Sequence, residues 1–200
     1  MKLAIILAIL LILIGGCSTV QDSPSGPTIK TTHTISGNQE LVLNEQDLQQ
    51  LGMTGDGLQQ LGMTSNGTDC QTEEYQTDEY SPLAQYSICS YTINSLNDTE
   101  VVIELKKFAN LEDLNGTYQY ESLHLRSIEG LISENDYGDQ SRFYLNNEND
   151  YGGQYNDPTV YYYHLWIGKN EYLIHITSKG SKEAEEYIAK IGRQILSKFG

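Results

Sequence analysis

The chain has 200 residues, with 27 acidic against 12 basic side chains and a formal net charge of −15. A surface this acidic repels phosphate backbones and anionic headgroups. That weighs against nucleic-acid binding and disfavours adsorption to lipid through the protein face.

Lys2 precedes twelve unbroken apolar residues, Leu3–Ile14, and Gly15-Gly16-Cys17 follow at once. That is the layout of a signal peptide over residues 1–16. As a helix, twelve residues rise about 18 Å, short of a hydrocarbon core of about 30 Å, so a permanent transmembrane span is disfavoured. Ile14-Gly15-Gly16-Cys17 resembles the lipobox of prokaryotic lipoproteins. The resemblance implies that the Cys17 thiol receives a diacylglyceryl group and that Cys17 begins the mature chain. The protein would then be anchored by lipid at the extracytoplasmic face of the cell membrane, its membrane contact running through Cys17.

Residues 17–37 read as a tether. Nine Ser/Thr and two Pro lie within 18–36, and nothing there can build a core. Its flexible-chain span is roughly 25 Å. Residues 38–69 read as a segment of helical turns. Leu48-Gln49-Gln50-Leu51-Gly52-Met53-Thr54-Gly55-Asp56-Gly57 is followed by a near-copy, Leu58 to Gly67. Each unit suggests one helical turn closed by glycine. Asn44 and Asp47 are placed to cap the first.

Residues 70–200 read as one α+β domain. Strands are predicted at Tyr86–Ile93 and Glu100–Phe108, flanking a polar turn at 94–98. Leu111, Leu114, Tyr118, Leu125 and Ile128 then fall on one helical stripe, with Asn110 as cap and Asp113 at N3. Ser141–Asn146 is a short strand. Thr159–Ile167 and Glu171–Thr177 form a hairpin across Gly168-Lys169-Asn170. Ala184, Tyr187, Ile188, Ile191, Ile195 and Phe199 make the apolar face of a closing helix capped by Ser181. The expected order is β-β-α-β-β-β-α: a mainly antiparallel sheet packed by two helices, as a layered sandwich.

The stretch Leu41–Cys70, with Asp47-Leu48 and Leu61-Gly62, is similar in layout to the opening of small prokaryotic surface lipoproteins, and the sequons Asn66, Asn97 and Asn115 lean toward an archaeal cell surface. The similarity covers residues 38–200 and extends to sensor-like and PsbP-like domains. It implies non-catalytic binding or assembly and carries no site residue across.

Cys70 and Cys89 form an even pair in an exported domain, which reads as a disulfide. The sequons at Asn66 and Asn97 sit in turn-like segments and are candidate glycosylation sites, whereas that at Asn115 falls in a helical pattern. Glu134-Asn135-Asp136-Tyr137-Gly138-Asp139-Gln140 is echoed at Glu148–Gln154. Polar loops are preferred there over calcium ligation, because the EF-hand spacing is absent.

There are 15 Tyr against 3 Phe and 1 Trp. Loop residues Tyr151 and Tyr155 are candidate ligand contacts, and strand packing is expected for the rest. His164 and His175 share a face if positions summing to 339 pair, and oppose each other if the sum is 338. Neither register supplies a third ligand, so a structural role is read and no metal is assigned.

No G-x-S-x-G, H-E-x-x-H, P-loop or Rossmann pattern occurs. No catalytic residue or cofactor is therefore assigned. The domain is read as a non-enzymatic binder of an envelope protein or glycan. The rivals are an envelope hydrolase using Glu134, Asp136, Asp139, Glu148 and Asp150, and a structural or assembly factor.

Overall fold

The hairpin of β3 (Leu83–Ile93) and β4 (Thr99–Phe108) forms one half of an antiparallel sheet. Its turn is a short 3-10 segment, Asn94–Leu96, followed by Asn97 and Asp98 at positive φ. The other half is a meander of β5 (Leu131–Glu134), β6 (Gln140–Asn146), β7 (Tyr161–Lys169) and β8 (Tyr172–Gly180). β8 returns to pair with β4. The short β1 (Gln59–Gln60) and β2 (Gln71–Glu74) share the outer edge of β3. The order across the sheet is β1/β2–β3–β4–β8–β7–β6–β5. This computed structural model describes residues 34–51, 59–60, 70–77, 82–123, 130–146 and 157–200.

Strand alternation divides the residues between two faces. On β8, Tyr172, Ile174 and Ile176 join one core cluster, while Leu173 joins the other. The first face carries Ile103, Leu105, Leu165, Ile167, Ile174 and Ile176. Against it pack Ile188, Ile191 and Ile195 of α4 (Ala184–Ser197), with Leu41 of α1 (Asn38–Leu41) and Leu43. Each such side chain, fully buried, contributes on the order of 1.5–3 kcal/mol. Gly192 lets α4 approach closely, since a Cβ there would stand 2.9 Å from the Leu165 side chain.

The second face is covered by α3 (Leu111–Leu123). Leu114 and Tyr118 lie over Phe108, Tyr144, Trp166 and Leu173. The layers are thus helix, sheet, helix, and the α+β, mainly antiparallel expectation holds. The element order differs by two strands: within residues 70–200 it runs β-β-β-α-β-β-β-β-α. β2 and β5 supply the extra strands, each a four-residue segment with three exposed residues. An edge strand this short has no room for the alternation that marks buried ones.

Two local expectations are corrected. Leu111 was placed on the buried stripe of α3 but is 57% exposed, whereas Ser122 is buried. α3 is held by polar ties rather than by a continuous apolar face. Arg142 Nη1 donates to Ser122 Oγ at 2.7 Å and to Gln119 Oε1 at 3.2 Å, and Lys106 pairs with Glu121. Leu125 and Ile128 lie outside the described residues.

The tandem copies also differ. The first begins within α2 (Glu45–Gln50), where Asn44 and Asp47 cap each other's backbone reciprocally. In the second, Gln59–Gln60 is a strand paired with Tyr91–Thr92. The repeated Leu-Gln-Gln-Leu has no strong preference of its own. A capping box decides the first copy, and an open strand edge decides the second.

The C-terminal helix buries the expected face, but its N-cap is Glu183, which makes no side-chain cap bond, rather than Ser181. Ala184, Ile188, Ile191, Ile195 and Phe199 are buried. Ser181 Oγ accepts the Glu183 N–H, and the Ser181 carbonyl accepts that of Ala184.

Candidate functional site

The second face carries a polar line that crosses four adjacent strands. Glu104 of β4 lies directly opposite His175 of β8. His175 lies opposite Trp166 of β7. His164 precedes Trp166 by two residues and so shares its face. Tyr86 of β3 closes the other end, its hydroxyl donating to Glu104 Oε1 at 2.6 Å.

His175 Nδ1 stands 2.8 Å from Glu104 Oε2. An ionised carboxylate only accepts, so His175 donates from Nδ1. His175 Nε2 then faces His164 Nδ1 at 3.3 Å. The hydrogen bond from His175, then that from Tyr86, outweighs burial and holds the Glu104 carboxyl down to about 2. Burial, reinforced by the neighbouring His175, lowers His164 to about 3, so its imidazole is neutral near pH 7.

Trp166 stacks on both rings, 4.3 Å from His175 and 5.3 Å from His164 between centroids. Its Nε1 is buried without a hydrogen-bond partner among the described residues.

The histidines meet through a register that neither sequence alternative contained. The loop is Asn170-Glu171, Lys169 pairs with Tyr172, and paired positions sum to 341. An odd sum keeps both histidines on one face, but diagonally rather than directly opposite. The turn lies one residue later than read because Asn170 takes the positive φ. Asp139 also pins it, accepting from Asn170 N at 2.9 Å and Lys169 Nζ at 2.6 Å.

That contact also settles the first echo loop, which connects β5 to β6. Asp139 is engaged by β7–β8, and Glu134 by Arg142. Tyr137 is buried against Phe143. Gly138 sits at φ +60, where a Cβ would stand 2.7 Å from the Gly168 carbonyl. A groove of about 670 Å³ separates this loop from α4, lined by Asp136, Tyr137, Glu183, Glu186 and Arg193 among others. Among the described residues, no group of three or more His, Cys, Asp or Glu converges on a metal position.

Cys70 and Cys89 form a disulfide that ties the residue before β2 to the middle of β3. Asn97 is exposed at the β3–β4 turn with φ 54, and Thr99 Oγ1 donates to the Leu96 carbonyl. Cys17, Asn66, Tyr151 and Tyr155 lie outside the described residues. Of the tyrosines read as strand packing, Tyr163 is buried and donates to the Lys182 carbonyl, while Tyr161 and Tyr162 are half-buried. Among the described residues no helix is long and apolar enough to cross a membrane.

Sequence reasoning missed Tyr86, Glu104 and Trp166. Glu104 sits between Ile103 and Leu105, whose side chains point to the other face, and only the register links it to His175.

No protein-family model matches the sequence, and no curated protein matches it. The chain is similar in structure to the extracellular domain of PknH from Mycobacterium tuberculosis, at a TM-score of 0.47 and 9% sequence identity. The likeness covers 82% of this chain and 98% of that one.

Proposed function

We propose that this chain is a lipid-tethered, extracytoplasmic binding protein without catalytic activity. The observation that carries the reading is the Cys70–Cys89 disulfide. It fits an oxidising compartment. It also leaves Cys17 as the remaining one of three cysteines, standing directly after an apolar run and two glycines. A binding role is favoured over hydrolysis because Glu134 and Asp139, two carboxylates of the hydrolase reading, are each engaged in a structural ion pair, with Arg142 and Lys169. The tether of residues 17–37 would hold the domain off the membrane, with a partner protein or glycan engaging it from outside.

Metabolic labelling with a palmitate analogue, followed by membrane fractionation, tests the anchor. The wild type should incorporate label and sediment with membranes, and Cys17→Ser should do neither. A Cys17→Ser chain that still carries label would refute the anchor. Affinity capture from the native envelope, with mass spectrometry of what is retained, tests the binding role. Retention of nothing above a scrambled-bait control would count against it.

A further inference from the structure

We propose that His164 and His175 form a binding site for a divalent transition-metal ion of the zinc or copper kind, with Glu104 as the positioning residue behind His175. The inference goes beyond the lipid-tether reading and stands or falls separately from it.

Three observations support it. The first is the spacing of the two ring nitrogens, 3.3 Å. That lies at the long end of the hydrogen-bond range, so the two nitrogens are already directed at one another. Two imidazole nitrogens at about 2.0–2.1 Å from one tetrahedral ion stand about 3.3–3.4 Å apart. The rings already hold that separation, nearly coplanar with centroids 5.5 Å apart, so a tetrahedral ion between them would require each ring to turn by roughly 35°.

The second is Glu104. Its acceptance of the Nδ1–H of His175 fixes the tautomer and leaves the Nε2 lone pair facing His164. A carboxylate behind a histidine is the usual support of a ligating imidazole, raising its basicity and fixing its plane. Tyr86 in turn holds the second Glu104 oxygen, so the carboxylate itself is oriented.

The third is the donor chemistry and its support. Both ligands are imidazoles, which suit zinc, copper and nickel rather than calcium or magnesium. Trp166 stacks on both rings and restricts their tilt. The histidines are half-buried, and no third protein ligand converges among the described residues. The remaining coordination positions would have to be filled by water or by a donor atom of a bound partner.

Trp166 is the sole tryptophan and lies against both ligands, which provides the test. The full chain, purified in detergent without a histidine tag, is titrated with Cu²⁺ while tryptophan emission is followed. Emission should fall saturably at one equivalent, EDTA should restore it, and excess Ca²⁺ should not.

His164→Gln and His175→Gln should each weaken binding by about tenfold or more, and Glu104→Gln, which keeps both ligands, by about 10–100-fold. His33→Gln and His124→Gln should leave it unchanged. Far-UV circular dichroism checks each variant, and if one histidine variant misfolds the other decides. Non-saturating quenching, or unchanged affinity in a folded His164→Gln or Glu104→Gln chain, would overturn the assignment.

Discussion

Trp166 and His175 face each other across the β7–β8 ladder, their ring centroids 4.3 Å apart and their planes within 8° of parallel. His175 also provides Glu104 with its N–H donor. Replacing it with Leu should therefore cost about 1–3 kcal/mol, mainly from a carboxylate left short of a partner. Urea denaturation followed by Trp166 emission and by circular dichroism measures this. Pairing His175→Leu with Glu104→Gln should cost less than the two single changes added, by about 0.5 kcal/mol or more. Simple additivity would mean that the pair contributes nothing to stability.

The contrast between α4 and α3 leads to a second expectation. Ile191 is buried in the first core, and Ile191→Ala should cost about 2–5 kcal/mol. Leu111→Ala should change stability by less than about 0.5 kcal/mol, because that side chain is largely solvated. Arg142→Ala should exceed Leu111→Ala, since Arg142 ties α3 to β6 through Ser122 and Gln119 and lies 5.2 Å over the Tyr118 ring. Thermal melts of the three variants rank the effects.

These differences explain what was legible beforehand. α4 announces itself because every turn places an isoleucine or alanine on one side and charge on the other. The β3–β4 and β7–β8 hairpins do so because their β-formers are bounded by turn residues, Asn94 to Asp98 in the first and Gly168-Lys169-Asn170 in the second. β5 and β2 were missed: each has four residues on or near an edge, too few for a period. The polar line was half visible. Its histidines could be named, but their meeting depended on where a two-residue turn fell. Glu104, isolated between apolar neighbours, carries no local sign of its partner 71 residues away.

Asp47 should make stability depend on pH. Burial opposes ionisation of its carboxyl. Hydrogen bonds from Lys198 at 2.6 Å, from the Asn44 backbone at 2.8 Å and from Gln194 at 2.8 Å outweigh it and hold the group below the ordinary value of 3.8. A carboxylate lowered on folding stabilises fully above its unfolded-state pKa and loses that contribution as pH falls through the folded-state value. The wild type should therefore exceed Asp47→Asn in stability at neutral pH, and the two should converge in acid below about pH 4. Denaturation midpoints from pH 7 to pH 2 test this. A gap that persists at pH 2 would show that the carboxylate's charge is not what stabilises.

The disulfide closes a separation of 19 residues, with Cys89 buried in β3. Its loss in a Cys70→Ala/Cys89→Ala chain should cost about 3 kcal/mol by the loop-entropy argument. Among the described residues β2 pairs with β3 alone, beginning at Gln71 opposite Ile88. The amides of Gln71–Glu74 should therefore lose hydrogen-exchange protection first, while β7 and β8 retain theirs. Uniform loss across the sheet would mean that the bond supports the whole domain rather than its edge.

The tandem repeat allows a deletion in which one copy replaces the other. Leu48 and Leu51 pack against the main core, and Gln50 Oε1 accepts from Gln194, so the first unit is part of the structure. Removing residues 48–57 brings Leu58-Gln59-Gln60-Leu61 directly after Asp47, restoring the same four residues behind the same cap. What is lost is β1, two residues long. The deletion should therefore cost about 1 kcal/mol or less, the scale of one or two net hydrogen bonds. Leu48→Ala/Leu51→Ala in the full-length chain should cost more, because each truncation empties core-facing volume that the deletion refills. Melting both variants side by side distinguishes the cases, and a deletion less stable than the double alanine chain would mean that the two copies are not interchangeable.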